Sequence, residues 1–302
     1  MHRLLPPPLT GGLIALVFAI NTVFWATPIY IFAIVKLLMP TRAARRLAAH
    51  ICDSCAQNWV GCNALLTDHL LPTRFDVRGV EKLNIKGQYF IFSNHQTWND
   101  IHVLQKTFYG KAPFFKFFLK QQLIWVPVLG LAWWALDFPF MKRYTKAEIA
   151  KNPSLKGKDI ETTRKACEKF EGLPVSIFNF LEGTRFTKAK HDRQNSPYRH
   201  LLKPKAGGFA FTLAAMGQKL SAMQDVTIVY PQGAKTFWQF LKGEVKNVIV
   251  EVRELGIPAE FSTGDYENDA AFRARVQAWV AQLWAEKDLR IGQLIEQSRT
   301  EG

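Results

Sequence analysis

Residues 89–100 read Tyr89-Phe90-Ile91-Phe92-Ser93-Asn94-His95-Gln96-Thr97-Trp98-Asn99-Asp100, an apolar run followed by a polar turn. The aromatic and β-branched character of the run predicts a buried strand, so that His95 follows a strand's carboxyl end. In open α/β sheets ligands bind at that edge. His95 and Asp100 can meet only if the histidine lies in the turn and the aspartate in the first turn of the next helix. An aspartate bonded to one ring nitrogen leaves the other nitrogen free to take a proton, as a general base must.

The composition indicates a folded chain that meets anions. Of the 302 residues, 48% are hydrophobic and 13% aromatic, which excludes disorder as the main state. This length can bury one large core, or one core with an appendage. The formal net charge of +14 predicts an anionic partner: a nucleic acid, a phosphorylated substrate or an anionic bilayer.

The N-terminal segment is long and apolar enough to cross a membrane. No charged residue lies between Arg3 and Lys36, and about 20 apolar residues span a bilayer. More basic residues lie after the segment than before it, which places the rest of the chain in the cytoplasm: Lys36, Arg42, Arg45 and Arg46. Residues 27–30 interrupt the apolar stretch, and Pro28 permits a second geometry, two half-helices in one leaflet with both ends cytoplasmic. A buried helix of a soluble protein is the remaining interpretation.

Residues 41–70 form the pattern of a basic amphipathic helix that ends at Leu71-Pro72. This helix carries the pair Cys52 and Cys55, but no second pair or following histidine completes a zinc or haem pattern. We therefore expect small, buried, reduced thiols rather than a metal or redox site.

Strands alternate with helices beyond residue 71, which predicts an α/β domain. The predicted strands cover residues 74–78, 89–92, 175–180, 226–230 and 248–252. Residues 123–140 contain three tryptophans and the single acid Asp137. Pro127, Gly130 and Asp137 argue against a second membrane span. We expect this segment to press onto the membrane or to line an apolar tunnel.

A second polar turn, Glu182-Gly183-Thr184-Arg185, follows the predicted strand at 175–180. Glycine at position 183 would let the backbone approach an anion closely. Together with the pair His95–Asp100 and with Arg143, this turn can form one site that binds an anion and activates a hydroxyl. A surface turn without function is the alternative interpretation of Glu182 and Arg185.

Two motifs carry a resemblance to a known family. Asn94-His95 with Asp100, followed by Phe180-Leu181-Glu182-Gly183-Thr184-Arg185, resembles the glycerolipid acyltransferases over roughly residues 75–235. The downstream run Lys203-Pro204-Lys205 with Gly207 is similar to the branch acting on 1-acylglycerol 3-phosphate and lysocardiolipin. The resemblance implies an α/β sheet flanked by helices, with an N-terminal membrane helix or helix pair. We accordingly expect an anchor and amphipathic helix over residues 1–70 and an acyltransferase domain over residues 71–302.

The resemblance also implies roles for individual residues. His95 would be the general base that deprotonates the acceptor hydroxyl, and Asp100 would hold its imidazole and stabilise the imidazolium. Four residues would bind the acceptor, with Arg185 facing its phosphate: Glu182, Gly183, Thr184 and Arg185. Arg143 and Lys120 match basic residues of the family's pattern and would join this substrate-binding set.

The expected reaction moves a fatty acyl group to a lysophospholipid. Its donor would be acyl-CoA or acyl-carrier protein, without a metal or a further cofactor. The expected location is the inner membrane, with the catalytic domain facing the cytoplasm and touching anionic lipid.

Two other classes of function compete with this one. A metal-dependent hydrolase would use His95, Asp100 and His102, but no usual spacing of metal ligands accompanies these residues. A non-enzymatic protein that binds nucleic acid or anionic membrane would use the basic stretch 186–205. That stretch lacks a nucleic-acid-binding motif and would leave the pair His95–Asp100 unexplained, so no nucleic-acid partner is expected.

Overall fold

Two long helices precede a mixed β-sheet in the computed structural model, which describes residues 6–126, 129–141, 144, 146–155, 158–170 and 173–300. Helix α1 covers Pro7–Leu38 and helix α2 covers Arg42–Leu70. The side chain of Thr41 caps α2 by accepting a hydrogen bond from the amide of Ala44. The helices pack against each other, and the Asn21 amide donates to Asn63 Oδ1 at 2.8 Å.

The main sheet lies between layers of helices. Its strands are β1 (Arg74–Arg78), β2 (Gln88–Ser93), β3 (Phe115–Phe117), β6 (Val175–Phe180), β7 (Ala222–Val229) and β8 (Asn247–Leu255). Their order is β1-β8-β7-β2-β6-β3 in the described part of the chain. Two short strands, β4 (Leu119–Lys120) and β5 (Phe140–Met141), pair separately.

The remaining helices connect or cover these strands. They are α3 (Asn99–Phe108), α4 (Leu129–Ala135), α5 (Lys146–Lys151), α6 (Lys158–Cys167), α7 (Lys188–Gln194), α8 (Ala206–Met216), α9 (Phe237–Leu241), α10 (Ala259–Thr263) and α11 (Ala270–Thr300). Short 3₁₀ turns cover Gln121–Trp125, Pro153–Leu155, Glu168–Phe170 and Gly217–Lys219.

Strand β2 lies at the centre of the sheet and is buried on both faces. Phe90 and Phe92 point into the hydrophobic cluster under α8 and α11, while Tyr89 and Ile91 point into the cluster shared with α1 and α3. This alternation follows from the period of two along a strand, and the nearly unbroken apolar run follows from burial on both faces. The predicted α/β fold is confirmed.

The strands β7, β2 and β6 are neighbours and parallel, so their carboxyl ends share one edge of the sheet. Ser93 at the end of β2 lies opposite Phe180 of β6 and Val226 of β7. The polar turns that the sequence places after separate strands therefore meet at one edge.

Helix α1 is continuous, which excludes the second geometry that Pro28 permits, two half-helices separated at residues 27–30. Pro28 lies inside the helix without breaking it. Proline removes one hydrogen bond of the helical ladder, but packing against α2 holds the helix through this point: the carbonyl of Ile29, next to Pro28, faces Cys52 Sγ at 3.8 Å. The helix pair that the resemblance implies consists of α1 and α2 rather than two halves of α1.

Both ends of α1 contact the sheet domain. Near its beginning, a Cβ atom built on Gly11 would lie 2.8 Å from Lys242 Cγ and 3.4 Å from the indole of Trp238 beside it. Near its end, Lys36 is 9% exposed and its Nζ reaches Asp137 Oδ2 at 2.8 Å and the Ala135 carbonyl at 3.1 Å. Lys36 thus joins the end of α1 to the segment around Asp137 and is not a free charge at the membrane surface.

The tryptophan-rich segment 123–140 does not form a second span. Helix α4 has 7 residues and is about 10 Å long, whereas a bilayer core is about 30 Å thick. Its residue Ala135 packs with Ile29 and Ala33 of α1 and with Cys52 of α2. The polar stretch after this segment contains α5.

Helix α11 is joined to the sheet by a buried ion pair. Lys287 is 2% exposed, and its Nζ lies 2.5 Å from Asp225 Oδ1 on β7 while donating to the Val226 carbonyl at 2.7 Å. Burial lowers the pKa of Lys287, and Asp225 holds that pKa up. Arg253, which is half-exposed, contacts the other oxygen of Asp225 at 3.0 Å.

Replacing Asp225 by alanine should destabilise the protein far more than replacing Arg253. Asp225→Ala leaves the buried Lys287 without its acid, which costs about 3–5 kcal/mol, whereas Arg253→Ala removes a half-exposed partner and costs about 1 kcal/mol or less. Denaturant unfolding in a fixed detergent measures both free energies. Equal losses would show that burial does not decide the strength of this pair.

Candidate active site

His95 and Asp100 meet at the carboxyl end of β2. His95 lies in the turn after Ser93, and Asp100 is the second residue of α3. His95 Nδ1 lies 2.8 Å from Asp100 Oδ2. The side chain of Asn94 fixes this turn, because its amide exchanges two hydrogen bonds of 2.9 Å with the backbone of Ile228 on β7.

The Asp100 carboxylate is fully buried and accepts hydrogen bonds from every side. The amides of Gln96 and Thr97 donate to Oδ2 at 2.6 and 3.0 Å, and the Tyr230 hydroxyl donates to Oδ1 at 2.8 Å. Burial, and then the negative charge of Asp100, raise the pKa of Tyr230 well above its ordinary value, so the phenol remains a donor. Such donors match an ionised carboxylate, which therefore accepts from Nδ1–H and leaves Nε2 of His95 as the basic nitrogen.

The imidazole of His95 is fixed by its face as well as by its edge. The ring of Phe180, the last residue of β6, stacks on it with a centroid distance of 3.7 Å and an interplanar angle of 12°. Among the described residues, none bonds to Nε2, and His95 is 9% exposed. The free nitrogen is thus available to a group in the adjacent cavity.

A cavity of about 310 Å³ opens beside His95. Aromatic side chains form much of its wall: Phe117, Phe118, Phe178, Phe180 and Phe211. Its polar lining comes from Asn179, Gly183, Thr184, Arg185 and Gly208. A wall that is apolar in one part and cationic in another fits an amphiphile with a negatively charged head.

Glu182 lies beneath this lining rather than in it. Its side chain is fully buried, and its two oxygens accept from the amides of His95 at 3.0 Å and of Leu202 at 3.2 Å. Burial raises the pKa of Glu182 to about 8, against the opposing effect of those two amides. The residue thereby ties the His95 turn to the loop that follows α7.

The next three residues of the motif face the cavity. Gly183 has a φ of 67°, a left-handed conformation that glycine adopts without strain. Lys190 Nζ donates to Thr184 Oγ1 at 2.8 Å and to the Arg185 carbonyl at 2.9 Å, which fixes the turn. The Arg185 guanidinium lies 4.3 Å from the ring centroid of Trp98, a side chain that is 58% exposed.

The other predicted site residues do not join this cluster. Lys120 is exposed at the end of β4, outside the described residues that line the cavity. Arg143 lies outside the described residues. His102 points away from His95: its Nε2 meets Thr67 Oγ1 of α2 at 2.7 Å, and burial lowers its pKa to about 4. The structure therefore does not bring His102 to the site that a metal-dependent hydrolase would need.

Reasoning from sequence misses three contributors to the site. The sequence pattern predicts Phe180 only as a core residue of a strand, although its ring stacks on His95. It assigns no role to Trp98, which lies between His95 and Asp100 in the sequence and contacts Arg185. Lys190 belongs to a basic stretch in the sequence, although it bonds to the motif turn. The bonds of Lys190 to Thr184 and Arg185 are the one local signal, because they join residues close in sequence. The contacts of Phe180 with His95 and of Trp98 with Arg185 join distant parts of the chain.

The fold and the site define a class: an α/β protein with a buried His–Asp pair beside a turn that carries an arginine. The chain belongs to the Acyltransferase family, whose sequence model matches residues 74–232. The resemblance that the two motifs indicate is thereby confirmed.

Individual relatives give the same picture. The human 1-acyl-sn-glycerol-3-phosphate acyltransferase delta is 26% identical over 184 residues, which cover 57% of this chain and 43% of that protein. Zebrafish (Danio rerio) lysocardiolipin acyltransferase 1 is 29% identical over 134 residues, which cover 41% of this chain and 32% of that protein. The alignments thus span less than half the length of these relatives.

A solved structure also resembles the chain. It is the 1-acyl-sn-glycerophosphate (LPA) acyltransferase PlsC from Thermotoga maritima, with a TM-score of 0.44 and 16% identity, covering 89% of this chain and 96% of that one.

The raised pKa of Glu182 predicts a loss of stability as the pH rises. The folded protein keeps this proton up to about pH 8, whereas the unfolded chain loses it near 4.5. The folded state thus binds more protons between these values, so the free energy of unfolding falls across this window and then levels off. Each unit between the two pKa values is worth about 1.4 kcal/mol.

Unfolding curves of the wild type and of Glu182→Gln, measured from pH 5 to pH 9, test this expectation. The variant cannot titrate at this position and should lack that part of the slope. Identical slopes in the two proteins would contradict the raised pKa.

Proposed function

We propose that this protein transfers a fatty acyl group from a thioester donor to the free hydroxyl of 1-acylglycerol 3-phosphate or a related lysophospholipid. The observation that carries the proposal is the pair His95–Asp100, which leaves Nε2 free at the edge of an aromatic-lined cavity. The names of the relatives, a 1-acyl-sn-glycerol-3-phosphate acyltransferase and a lysocardiolipin acyltransferase, support the choice of acceptor class.

The proposed step is a direct displacement. The acceptor hydroxyl donates to His95 Nε2 and loses its proton to it as its oxygen attacks the thioester carbonyl. The tetrahedral intermediate then expels the thiolate, which takes the proton from the imidazolium and leaves as the free thiol. Asp100 stays ionised and stabilises the imidazolium, as its buried set of donors requires. The donor is already activated as a thioester, so the step needs no cofactor beyond acyl-CoA or acyl-carrier protein.

The cavity has a cationic part and an aromatic part, which match the phosphate and the acyl chain of the substrates. Arg185 would pair with the acceptor phosphate, because a guanidinium suits the geometry of a phosphate. The Phe117 and Phe211 side of the wall would take an acyl chain. Gly183 and Thr184 would bring backbone close to the head group, with Glu182 supporting the turn from below. Lys120 and Arg143 remain expected substrate contacts of the family's pattern.

We propose that α1 lies in one leaflet of the membrane instead of crossing it. Helix α1 is the one described helix long and apolar enough to span a bilayer. At about 48 Å it exceeds the bilayer core, yet the domain contacts it near both ends, at Gly11 and at Lys36. A helix tied at both ends to one domain cannot put those ends on opposite sides. Its outward stripe is apolar: Leu13, Leu16, Ile20, Phe24, Ile31 and Ile34 are exposed.

The proposed location is the cytoplasmic face of the inner membrane. The net charge of +14 and the basic residues Arg42, Arg45 and Arg46 after α1 would attract anionic lipid there.

Replacing the proposed base should abolish measurable turnover while leaving the protein folded and attached to membranes. General-base catalysis contributes about 10²–10⁴-fold in rate, so His95→Ala should lose at least that factor with oleoyl-CoA and 1-oleoylglycerol 3-phosphate. His69→Ala, a change on the exposed surface of α2, is the matched control and should keep full activity. Wild-type rates in purified His95→Ala would exclude this mechanism.

Labelling of the two ends of α1 tests its position in the membrane. Pro6→Cys and Thr41→Cys, both at exposed positions, should react with a membrane-impermeant maleimide from the same side of sealed vesicles. The wild-type protein gives the background from its native cysteines. A residue 6 that reacts only after detergent is added would instead indicate a spanning helix.

A further inference from the structure

The ammonium group of Lys205, an exposed residue, lies over the turn formed by residues 182–185. The amide of Lys205 donates to the Leu181 carbonyl at 2.7 Å, which brings residue 205 alongside the turn. A Cβ atom built on Gly183 would lie 2.7 Å from Lys205 Nζ and 2.9 Å from its Cδ. The side chain therefore crosses the one residue of the turn that has no side chain of its own.

Lys205 differs from the other lysines near the site in its partners. Lys190 bonds to Thr184 and Arg185, Lys188 pairs with Asp192, and Lys287 is buried against Asp225. For Lys205 Nζ the described part of the chain supplies no acidic partner and no hydrogen bond. The nearest acid in sequence to the turn, Glu182, is buried and bonded to two backbone amides.

The charge of the expected ligand exceeds what Arg185 alone can neutralise. A phosphate monoester carries close to two negative charges at neutral pH, and the Arg185 guanidinium contributes one positive charge. Arg185 packs against Trp98, whereas Lys205 directly precedes α8. Gly208 of α8 lines the same cavity as Arg185. The first turn of α8 adds a favourable field for an anion at this place.

We propose that Lys205 is a specificity-determining residue that binds the acceptor's phosphate together with Arg185, across Gly183. The inference rests on the proposed acyl transfer to a lysophospholipid and adds to its head-group site a cation whose role the family's pattern does not name. The same phosphate chemistry could come from the acyl donor if that donor is coenzyme A, so the test separates the two sources.

Steady-state kinetics of the purified full-length protein in mixed micelles provide that test. The variants are Lys205→Ala, Lys205→Arg, Arg185→Ala and Lys203→Ala, the last being an exposed lysine two positions away as the matched control. Lys205→Ala should raise the KM for 1-oleoylglycerol 3-phosphate about 10- to 100-fold, as expected for loss of a charged hydrogen bond. Its kcat should change little, its KM for oleoyl-CoA should stay constant, and Arg185→Ala should show the same pattern.

Competitive inhibition separates the two phosphate sources. Inhibition by glycerol 3-phosphate should weaken in Lys205→Ala by the same factor as the acceptor KM, while inhibition by free coenzyme A should not change. Lys205→Arg should restore most of the affinity, and Lys203→Ala should behave as the wild type. If Lys205→Ala is unstable, Lys205→Gln replaces it in every arm.

Two results would overturn the inference. One is an unchanged acceptor KM in Lys205→Ala, and the other is weakened binding of coenzyme A in place of glycerol 3-phosphate. Either result leaves the proposed reaction intact, provided that the wild type transfers acyl groups and His95→Ala does not. A wild type without acyl transfer to any lysophospholipid would instead remove the proposed function itself.

Discussion

The buried carboxylate of Asp100 is the constraint on which the site depends. It lies at 0% exposure, and its charge is compensated by His95, by two backbone amides and by the Tyr230 hydroxyl rather than by a buried lysine or arginine. A buried ion without such donors would cost several kcal/mol or take up a proton. The turn after β2 must therefore keep one conformation, and Tyr230 must follow β7 directly beside it.

The same turn connects the site to the helices at the N-terminus. Thr97 Oγ1 and Asn99 Nδ2 both donate to the Lys235 carbonyl, at 2.6 and 2.9 Å. Residue 235 leads into α9, whose Trp238 lies against Gly11 of α1. The turn after β2 and the apolar helix are thus linked through α9. These contacts couple the position of the cavity to that of α1, the helix that we propose to lie in one leaflet.

The sequence pattern predicts the strands, which depend on neighbouring residues, but it does not predict contacts between distant residues. The strands at 74–78 and 175–180 agree with the structure, because the first alternates polar and apolar residues and the second is a largely buried apolar run. The choice between a continuous α1 and two half-helices could not be predicted, since it depends on packing against α2, which outweighs the effect of Pro28. For Glu182 the motif predicts a substrate contact, whereas its oxygens reach amides at positions 95 and 202, contacts no spacing reveals.

The stacking of Phe180 on His95 has a consequence for successive turnovers. Asp100 contacts Nδ1 of the His95 imidazole, and the phenyl ring of Phe180, a residue of the sheet, stacks on its face. Rotation of the imidazole would break its contact with Asp100 and disturb its stacking on Phe180. In the proposed acyl transfer, the same nitrogen would therefore face the cavity before and after every reaction, and only the lipids would have to change places.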